Sequence, residues 1–398
     1  MQPFANLKVL DLTHVLAGPF CAYQLGVMGA DVLKIEPPNR PDMSRRSSTV
    51  KALGDMGMGT NFLTQAANKR ALTLDIKQAK GQEILKKLVR DADVLVENYT
   101  AGTLEEYGLG YDDLAAINPK LIYCSMTGFG QNGPKRGHTA FDNVIQAVSG
   151  LMSTTGTRDS GPLKTGAPVL DYGAGIMSAF AVACALFQRV QSGKGQRIDV
   201  SMMDAAFMLM GSTLVGYMAS GIEPMATGND AANAAYSCYD TAEGQIMLGT
   251  STPEHHRDMW LVLGRPEEAK IYGRMDAREI DRHRPEIAAL LTEILPRKKA
   301  SEWVALLNPA HVPAEEVLTV SQALKHPQVP HRGVLHEFKD ALGPGIDLTV
   351  PVAAFTYAND GPAMRSPPPR HGEHTDEVLR GLGLGEQEIS SLRAEGVV

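Results

Sequence analysis

The fold is decided near the amino terminus, in residues 7–36, which read LKVLDLTHVLAGPFCAYQLGVMGADVLKIE. Residues 7–12 form a short run of β-favouring side chains, and residues 30–36 form a second one that two prolines stop. Between them, residues 20–28 have the composition of a helix that ends near Gly29. A strand, a helix and a second strand in this order predict two parallel strands joined by a crossover helix.

The same alternation continues along the chain. Strands are predicted at residues 71–76, 94–97, 121–126 and 197–201, and helices at 78–92, 173–191 and 202–219. From about residue 223 the pattern changes to a loop, a strand–turn–strand at 239–241 and 245–249, and short helices. A strand at 350–355 and a final helix from Thr375 or Asp376 complete the chain.

These elements predict an α/β protein with a doubly wound, Rossmann-like parallel sheet and a smaller α+β domain. The predicted division is a large domain at 1–222, a small domain at 223–322, and a return to the large domain at 323–398.

Composition limits the classes of function. The chain has 398 residues, is 43% hydrophobic and carries a net charge of −7, so it is long enough for real cores and lacks the basic surplus of a nucleic-acid or anionic-membrane binder. Its 4 cysteines have no metal or redox spacing, which favours free thiols in a reducing cytoplasm. No signal peptide is visible, and the apolar run at 176–187 is too short to span a bilayer.

One carboxylate stands out in the middle of the chain. Asp171 lies between the apolar pair Val169-Leu170 and the glycines Gly173 and Gly175. This pattern predicts a short strand followed by a buried helix. An aspartate at the start of a helix is often only an N-cap, stabilising by about 1 kcal/mol. It can also be a nucleophile, and the spacing alone leaves both readings open.

Other motifs are weaker. Residues 128–133 fit G-x-G-x-x-G, but Pro134 follows and no helix opens there, so we expect a glycine-rich turn and not a dinucleotide site. Residues 193–197 are expected to form a tight turn and not a phosphate loop. The pairs His371/His374 and His255/His256 have unsuitable context for metal ligands, and no metal site is predicted.

Segments spread over nearly the whole chain resemble a single family. In chain order they are 7–20, 25–38, 68–75, 96–99, 117–122, 128–130, 141–147, 149–150, 195–197, 203–205, 263–267, 323–333 and 372–375. Together they resemble the class III CoA-transferases, the carnitine/formate or CaiB/BaiF type. The resemblance implies an enzyme that moves CoA from an acyl-CoA, such as succinyl-CoA, to a small carboxylic acid, with CoA as substrate and no permanently bound cofactor.

The catalytic residue of this family matches Asp171 here. The resemblance implies that its carboxylate attacks the donor thioester, that a mixed anhydride and CoA thiolate form, and that the thiolate then gives an aspartyl-CoA thioester. Such a nucleophile must be ionised and shielded from water. We therefore expect Asp171 to be partly buried with backbone N–H groups aimed at it, and Gly173 and Gly175 to allow close approach to an oxyanion.

The resemblance also implies a set of CoA contacts. Matched position by position, they are His14, Leu16, Ala17, Leu74, Lys77, Asn98, Thr100, Thr139 and Asp142. Leu16, Pro37, Glu106 and Thr139 depart from the formate-type enzymes, so formate or oxalate is not the expected substrate. Arg40, Arg45, Lys69 or Arg70 are candidates to supply the phosphate-binding charge that these changes remove.

Two alternatives remain open at this level. The chain also resembles α-methylacyl-CoA racemases of the same superfamily, which would use His138 and Asp171 as paired bases. A non-catalytic CoA-binding subunit that needs a paralogous partner is the other. Family members form interlocked, ring-like homodimers, so a homodimer is the expected assembly, with no nucleic-acid or membrane partner.

Overall fold

The fold is seen in a computed structural model, which describes residues 1–230 and 233–398. Its main sheet has six parallel strands in the order β3-β2-β1-β4-β5-β6. The strands are β1 (Lys8–Asp11), β2 (Asp31–Glu36), β3 (Lys69–Thr73), β4 (Val94–Glu97), β5 (Ile122–Thr127) and β6 (Gln196–Ser201). The predicted parallel α/β architecture is confirmed.

The register shows that residues 7–36 provide the centre of this sheet. Strand β1 lies at its centre, with Val9 paired to Val32 of β2 on one side and to Val94 of β4 on the other. Strands buried on both faces are near-continuous apolar runs. Alternate residues of β1 accordingly enter two different cores, since Val9 packs into one and Leu10 into the other.

Helices cover both faces of the sheet. Those of the first compact unit are α1 (Ala17–Val27), α2 (Lys51–Asp55), α3 (Thr60–Leu63), α4 (Ala79–Val89), α5 (Thr103–Glu106), α6 (Tyr111–Ile117), α7 (Asp142–Val148), α8 (Val169–Ser192), α9 (Met202–Leu209) and α10 (Gly211–Ser220). Buried side chains of α1, α8 and α9 form the core on one face, and those of α4 and α6 contribute to the core on the other.

The chain divides into two compact units. The first comprises Met1–Met152, Lys164–Glu223 and Pro330–Val398, and the second Ser153–Leu163 and Pro224–Val329. The carboxy-terminal part of the first unit contains the antiparallel pair β10 (Leu335–Phe338) and β11 (Leu348–Pro351), and the helices α18 (Thr375–Gly381) and α19 (Glu386–Ala394). Both helices pack into the same core as α4 and α6.

The second unit has its own sheet and core. Its antiparallel strands are β7 (Cys238–Asp240), β8 (Gln245–Leu248) and β9 (Ala314–Glu316). Its helices are α11 (Pro253–Val262), α12 (Pro266–Tyr272), α13 (Ala277–Arg282), α14 (Arg284–Ile294), α15 (Ala300–Leu307) and α16 (Val320–Ala323), with α17 (Gln328–Arg332) where the units meet in sequence. The predicted strand–turn–strand around Gly244, which has a left-handed φ of 79°, is confirmed.

Three predicted elements are wrong in detail. Val169-Leu170 is not a strand, because α8 begins at Val169 directly after Pro168. The predicted helix at 202–219 is two helices bent by 73°, with the break at Met210 before a Gly-Ser pair, a common cause of kinks. The predicted strand at 350–355 ends at Pro351, which cannot donate to a ladder.

Helix α8 is longer and more apolar than the run at 176–187 suggested. Its 24 residues meet the length and composition of a membrane span, as do α9 and α10 if they count as one bent span; no other helix in residues 1–230 and 233–398 does. Core helices of globular proteins pass the same test. One face of α8 is indeed in the core, where Leu170, Ala174 and Val182 are fully buried.

Candidate active site

The predicted CoA-contacting segments follow the carboxyl ends of neighbouring strands. The loop after β1 carries His14, and the loop after β4 carries Asn98. The backbone N–H of His14 donates to Oδ1 of Asn98 over 2.9 Å, and Nδ2 of Asn98 donates back to the His14 carbonyl over 2.8 Å. Strand order changes direction between β1 and β4, and ligands of such sheets bind in that crevice.

The β1–α1 loop is partly accessible. His14 and Leu16 are half-buried, whereas Ala17, the first residue of α1, is buried. The His14 ring packs edge-on against Tyr99, with centroids 5.6 Å apart. Burial lowers the pKa of His14, although the Asp42 carboxylate opposes this, so its imidazole is neutral near pH 7.

The remaining predicted CoA contacts differ in accessibility. Lys77, Thr100 and Thr139 are exposed and free to meet a ligand. Leu74 is 1% exposed and belongs to the core beside α4, so only its backbone can reach a ligand.

Asp171 occupies the first turn of α8 and is 8% exposed. Burial, followed by the nearby Asp142 carboxylate, raises its pKa to about 7. Contrary to our expectation of backbone donors, its carboxylate accepts no hydrogen bond within residues 1–230 and 233–398. The carboxylate is therefore held without the contacts that usually stabilise the ionised form.

Asp142 takes those backbone groups instead. Its Oδ2 accepts the N–H groups of Leu170 over 2.8 Å and of Asp171 over 3.1 Å, which makes it the side-chain cap of α8. Gln146, one turn along α7, donates to Oδ1 of Asp142 and accepts the Thr165 N–H over 2.9 Å. Asp142 is buried, so the structure gives this predicted CoA contact a bracing position at the start of α8.

Helix packing brings the amino-terminal part of α8, which carries Asp171, against the first turn of α1. A Cβ on Gly175 would meet the carbonyl oxygen of Ala17 at 2.7 Å, so α1 and α8 approach closely only because residue 175 is glycine. The rings of Tyr172 and Phe20 lie edge to face, 4.8 Å apart. The close approach predicted for a ligand at this glycine is thus made by another helix.

Three of the four cations considered for CoA phosphates are already paired. Arg45 binds Glu36, Lys69 binds Asp11, and Arg70 binds Asp31 and Glu377. Arg40 is exposed, and its charge acts on the His14 ring. Arg40 and Lys77 form no ion pair within the described part of the chain, so both are available to an anion.

His138, required by the racemase alternative, is exposed and packs edge-on against Phe129. Across residues 1–230 and 233–398 it makes no hydrogen bond to Asp171. The glycine-rich stretch at 128–133 is a turn in which Gly130 and Gly133 have left-handed φ values of 88° and 84°. The nearest helix, α7, begins only at Asp142.

The histidine pairs serve the fold. Nε2 of His371 lies 3.1 Å from the Pro37 carbonyl, and Nδ1 of His374 accepts the Ala71 N–H over 3.2 Å. His256 is buried with Nε2 3.0 Å from Nδ2 of Asn233, and burial lowers its pKa to about 4. In the described residues, no group of three or more His, Cys, Asp or Glu side chains could hold a metal ion.

Comparison with known proteins identifies the class. Residues 4–375 match the model of CoA-transferase family III. The chain is 32% identical over its whole length to the human succinyl-CoA:glutarate CoA-transferase, of which the match covers 90%. It is 33% identical to the succinate–glutarate CoA-transferase of Agrobacterium fabrum, covering 96% of each chain.

A solved structure agrees with these relatives. A CaiB/BaiF family protein from Brucella suis superposes with a TM-score of 0.83 at 32% identity, covering 96% of this chain and 99% of that one. The chain belongs to CoA-transferase family III, and it is a CoA-transferase.

Sequence reasoning missed the bracing of α8 by Asp142 and Gln146. The only local signal is their spacing of four residues, which places them on one face of a helix. The hydrogen bonds from Leu170 and Asp171 to Asp142 span 28 and 29 residues, so no local sequence pattern predicts them.

Proposed function

We propose that Asp171 is the nucleophile that carries CoA from a donor acyl-CoA to an acceptor carboxylate through an aspartyl-CoA thioester. The observation that carries the proposal is a nearly buried carboxylate in the first turn of α8, with a pKa of about 7, that accepts no hydrogen bond from residues 1–230 and 233–398. A structural N-cap would instead have its oxygens occupied by backbone N–H groups.

The first half-reaction loads the enzyme. A carboxylate oxygen of Asp171 attacks the thioester carbonyl carbon, the C–S bond breaks, and CoA leaves as a thiolate while a mixed anhydride forms. The thiolate then attacks Cγ of Asp171, the anhydride C–O bond breaks, and the donor acid leaves as a carboxylate. The product is an aspartyl-CoA thioester.

The second half-reaction reverses these steps on the acceptor. The acceptor carboxylate attacks Cγ, expelling the thiolate, and the thiolate attacks the acceptor carbonyl of the new anhydride. Asp171 is released as a carboxylate, and the acceptor leaves as an acyl-CoA.

The surroundings of Asp171 suit this chemistry. An anhydride and an acyl-enzyme hydrolyse in water, and burial of the side chain limits the access of water to them. Burial also leaves the carboxylate poorly solvated and hence a stronger nucleophile, while the raised pKa, about 7, favours its protonated form more than in an ordinary aspartate. The first turn of α8 favours the anion, but only by roughly 0.3–2 kcal/mol.

We place CoA along the carboxyl edge of the sheet. His14, Leu16 and Ala17 follow β1, and Asn98 and the exposed Thr100 follow β4. Thr139 is exposed in the segment between β5 and α7. Leu74 contributes its backbone, and Asp142 acts through α8. Arg40 and Lys77, after β2 and β3, supply charge for the phosphates.

The names of the relatives guide the choice of substrates. Both are succinyl-CoA or succinate–glutarate CoA-transferases, so we propose succinyl-CoA as donor and a small dicarboxylate such as glutarate as acceptor. No permanent cofactor is needed, since CoA arrives with the donor. The reaction is proposed to take place in the cytoplasm.

A homodimer of the interlocked, ring-like kind is proposed as the working assembly. Large apolar side chains on the outer face of α8–α10 are exposed, with Phe180 at 71%, Phe187 at 69% and Met218 at 74%. Patches of this kind mark interaction surfaces, and a second copy of the chain is the partner that we propose.

The test is a CoA-exchange assay with purified protein, succinyl-CoA and a panel of carboxylates. We expect acceptor-dependent acyl-CoA formation with glutarate or a similar diacid, and a fall of at least about a thousandfold in Asp171→Asn. Rapid deuterium uptake from D₂O into a 2-methylacyl-CoA without acceptor would support the racemase instead. Turnover only after adding a paralogous chain would support the subunit reading.

A further inference from the structure

A network of buried charges lies under the β1–α1 loop and has no part in the proposed chemistry. It contains three anions, Asp11, Glu36 and Asp42, and three cations, Lys34, Arg45 and Lys69, all with side chains 0–2% exposed. Buried ion pairs of this kind are weak contributors to stability compared with apolar packing. Stability alone is therefore a weak explanation for placing these six charges beside the proposed CoA site.

The loop above this network is strained. Val15 has a φ of 68°, in the left-handed region that β-branched residues almost never occupy. Such strain persists only where the surroundings fix it, and it concentrates at ligand sites. Val15 stands between His14 and Leu16, two of the proposed CoA contacts.

Side chains fix every backbone polar atom of residues 13–15. Asp11 accepts the Thr13 N–H over 3.0 Å, and Nζ of Lys34 donates to the Thr13 carbonyl over 2.8 Å. Asn98 binds both the N–H and the carbonyl of His14. For Val15, Asp42 accepts the N–H with both oxygens, at 3.1 and 3.2 Å, and Nε2 of Gln65 donates to the carbonyl over 2.7 Å.

The network also fixes the side chains that hold the loop. Asp42 is 3.2 Å from Nζ of Lys34, and its own N–H donates to Glu36, which Arg45 grips with two nitrogens at 2.8 and 2.7 Å. Burial alone would raise the pKa of Asp42, but Lys34 and the Ser44 N–H outweigh it and keep that pKa low. Asp42 is thus ionised, and both of its carboxylate oxygens are engaged by the Val15 N–H.

We infer that Asp42 and Gln65 are positioning residues that hold Val15 in its strained conformation and thereby preset His14, Leu16 and Ala17 for the acyl-CoA. This rests on the proposed function, because it takes the β1–α1 loop as the CoA site. A preset loop lowers the entropy cost of binding, so the network acts on affinity for the thioester and not on the chemical steps.

The test measures steady-state kinetics of Asp42→Asn and Gln65→Met in the full-length enzyme. We expect the KM for succinyl-CoA to rise about tenfold in Asp42→Asn and about threefold in Gln65→Met, with kcat within about twofold of wild type. If Asp42→Asn folds poorly, Gln65→Met tests the same loop, because it keeps the side-chain size and removes the Nε2 donor to the Val15 carbonyl. Within residues 1–230 and 233–398, Oε1 of Gln65 has no hydrogen-bond partner to lose.

The Val15→Gly background distinguishes a role of Asp42 in holding the strained Val15 from a role in stabilising the loop in general. Glycine takes a φ of 68° without strain, so in Val15→Gly the change Asp42→Asn should raise KM by no more than about twofold. The matched control is Asp93→Asn, which breaks an ion pair with Arg189. Asp93 directly precedes β4 and so lies at the amino ends of the strands, away from the β1–α1 loop, and KM should not change.

The inference is overturned if folded Asp42→Asn and Gln65→Met keep the wild-type KM, or if KM rises equally in the Val15→Gly background. Asp171→Asn in the same assay separates this failure from that of the proposed function. If Asp171→Asn loses CoA exchange while the loop variants keep the wild-type KM, only the positioning role of Asp42 and Gln65 is wrong. If Asp171→Asn still exchanges CoA at the wild-type rate, the proposed function of Asp171 is wrong.

Discussion

Two buried aspartates of the first unit have opposite surroundings. Asp11, at the end of β1, is fully buried, with Lys69 2.8 Å from its Oδ2, and although burial opposes ionisation, Lys69 and Lys34 hold its pKa below the usual value. Asp171, at the start of α8, has no cation beside it among residues 1–230 and 233–398, and burial followed by Asp142 raises its pKa to about 7. The fold thus pairs the structural carboxylate, Asp11, with a cation. The carboxylate that we propose as nucleophile, Asp171, lies beside another anion instead.

The largest effect should come from breaking the compensated site. Lys69→Met leaves the Asp11 carboxylate buried without its partner, and we expect the free energy of unfolding to fall by about 3–5 kcal/mol. Urea denaturation measures it. The double variant Asp11→Asn/Lys69→Met should recover most of the loss, and a single variant within about 1 kcal/mol of wild type would show that Asp11 and Lys69 are not coupled.

The opposite change should stabilise the uncompensated site. A raised pKa means that the fold favours protonated Asp171, so its contribution to stability is present below about pH 4 and is lost as the pH rises to about 7. Asp171→Asn stays neutral, and it should exceed wild type in unfolding free energy by roughly 2–4 kcal/mol at pH 8. Melting curves at pH 5 and pH 8 test this, and a difference that does not grow with pH contradicts it.

A smaller effect follows from removing the neighbouring charge. Asp142→Asn keeps an oxygen for the N–H groups of Leu170 and Asp171 but removes the anion that raises the pKa of Asp171. If Asp171 is the proposed nucleophile, the acid limb of log kcat/KM against pH is expected near pH 7 in the wild type. In Asp142→Asn this limb should move down by about one unit. An unmoved limb would mean that burial alone sets this pKa.

The smallest effect is expected at the surface. Asp31 pairs with Arg70 at 2.7 Å, but these side chains are 45% and 34% exposed. Asp31→Asn should change the free energy of unfolding by no more than about 1 kcal/mol, because water screens such pairs. A loss as large as that in Lys69→Met would show that burial is not what distinguishes the two ion pairs.

The sequence predicted the sheet better than the site. Strands β1, β2 and β4 each contain a Val-Leu pair that is buried in the sheet, and these apolar β-favouring pairs are sufficient to predict the strands. The start of α8 was misplaced because Val169-Leu170 has the composition of a strand, while Pro168 is equally suited to precede a helix.

The sequence around Asp171 makes this carboxylate stand out, but only the family resemblance implies that it is the nucleophile. Its raised pKa depends on Asp142, which is 29 residues away, and on burial that only the folded chain creates. The ion pairs of Lys69 and Arg70 likewise depend on which strands lie together in the sheet, and that of Arg45 depends on how the chain after β2 folds back on Glu36. The sequence alone therefore leaves all three as candidate phosphate ligands.

The most direct test of a nucleophilic Asp171 is the mass of the protein after incubation with succinyl-CoA and no acceptor. The account predicts a gain equal to CoA less one water, located on the peptide that contains Asp171, discharged by adding glutarate and absent in Asp171→Asn. If wild-type protein turns over donor and acceptor yet never carries this mass, or carries it on another residue, the central claim is wrong.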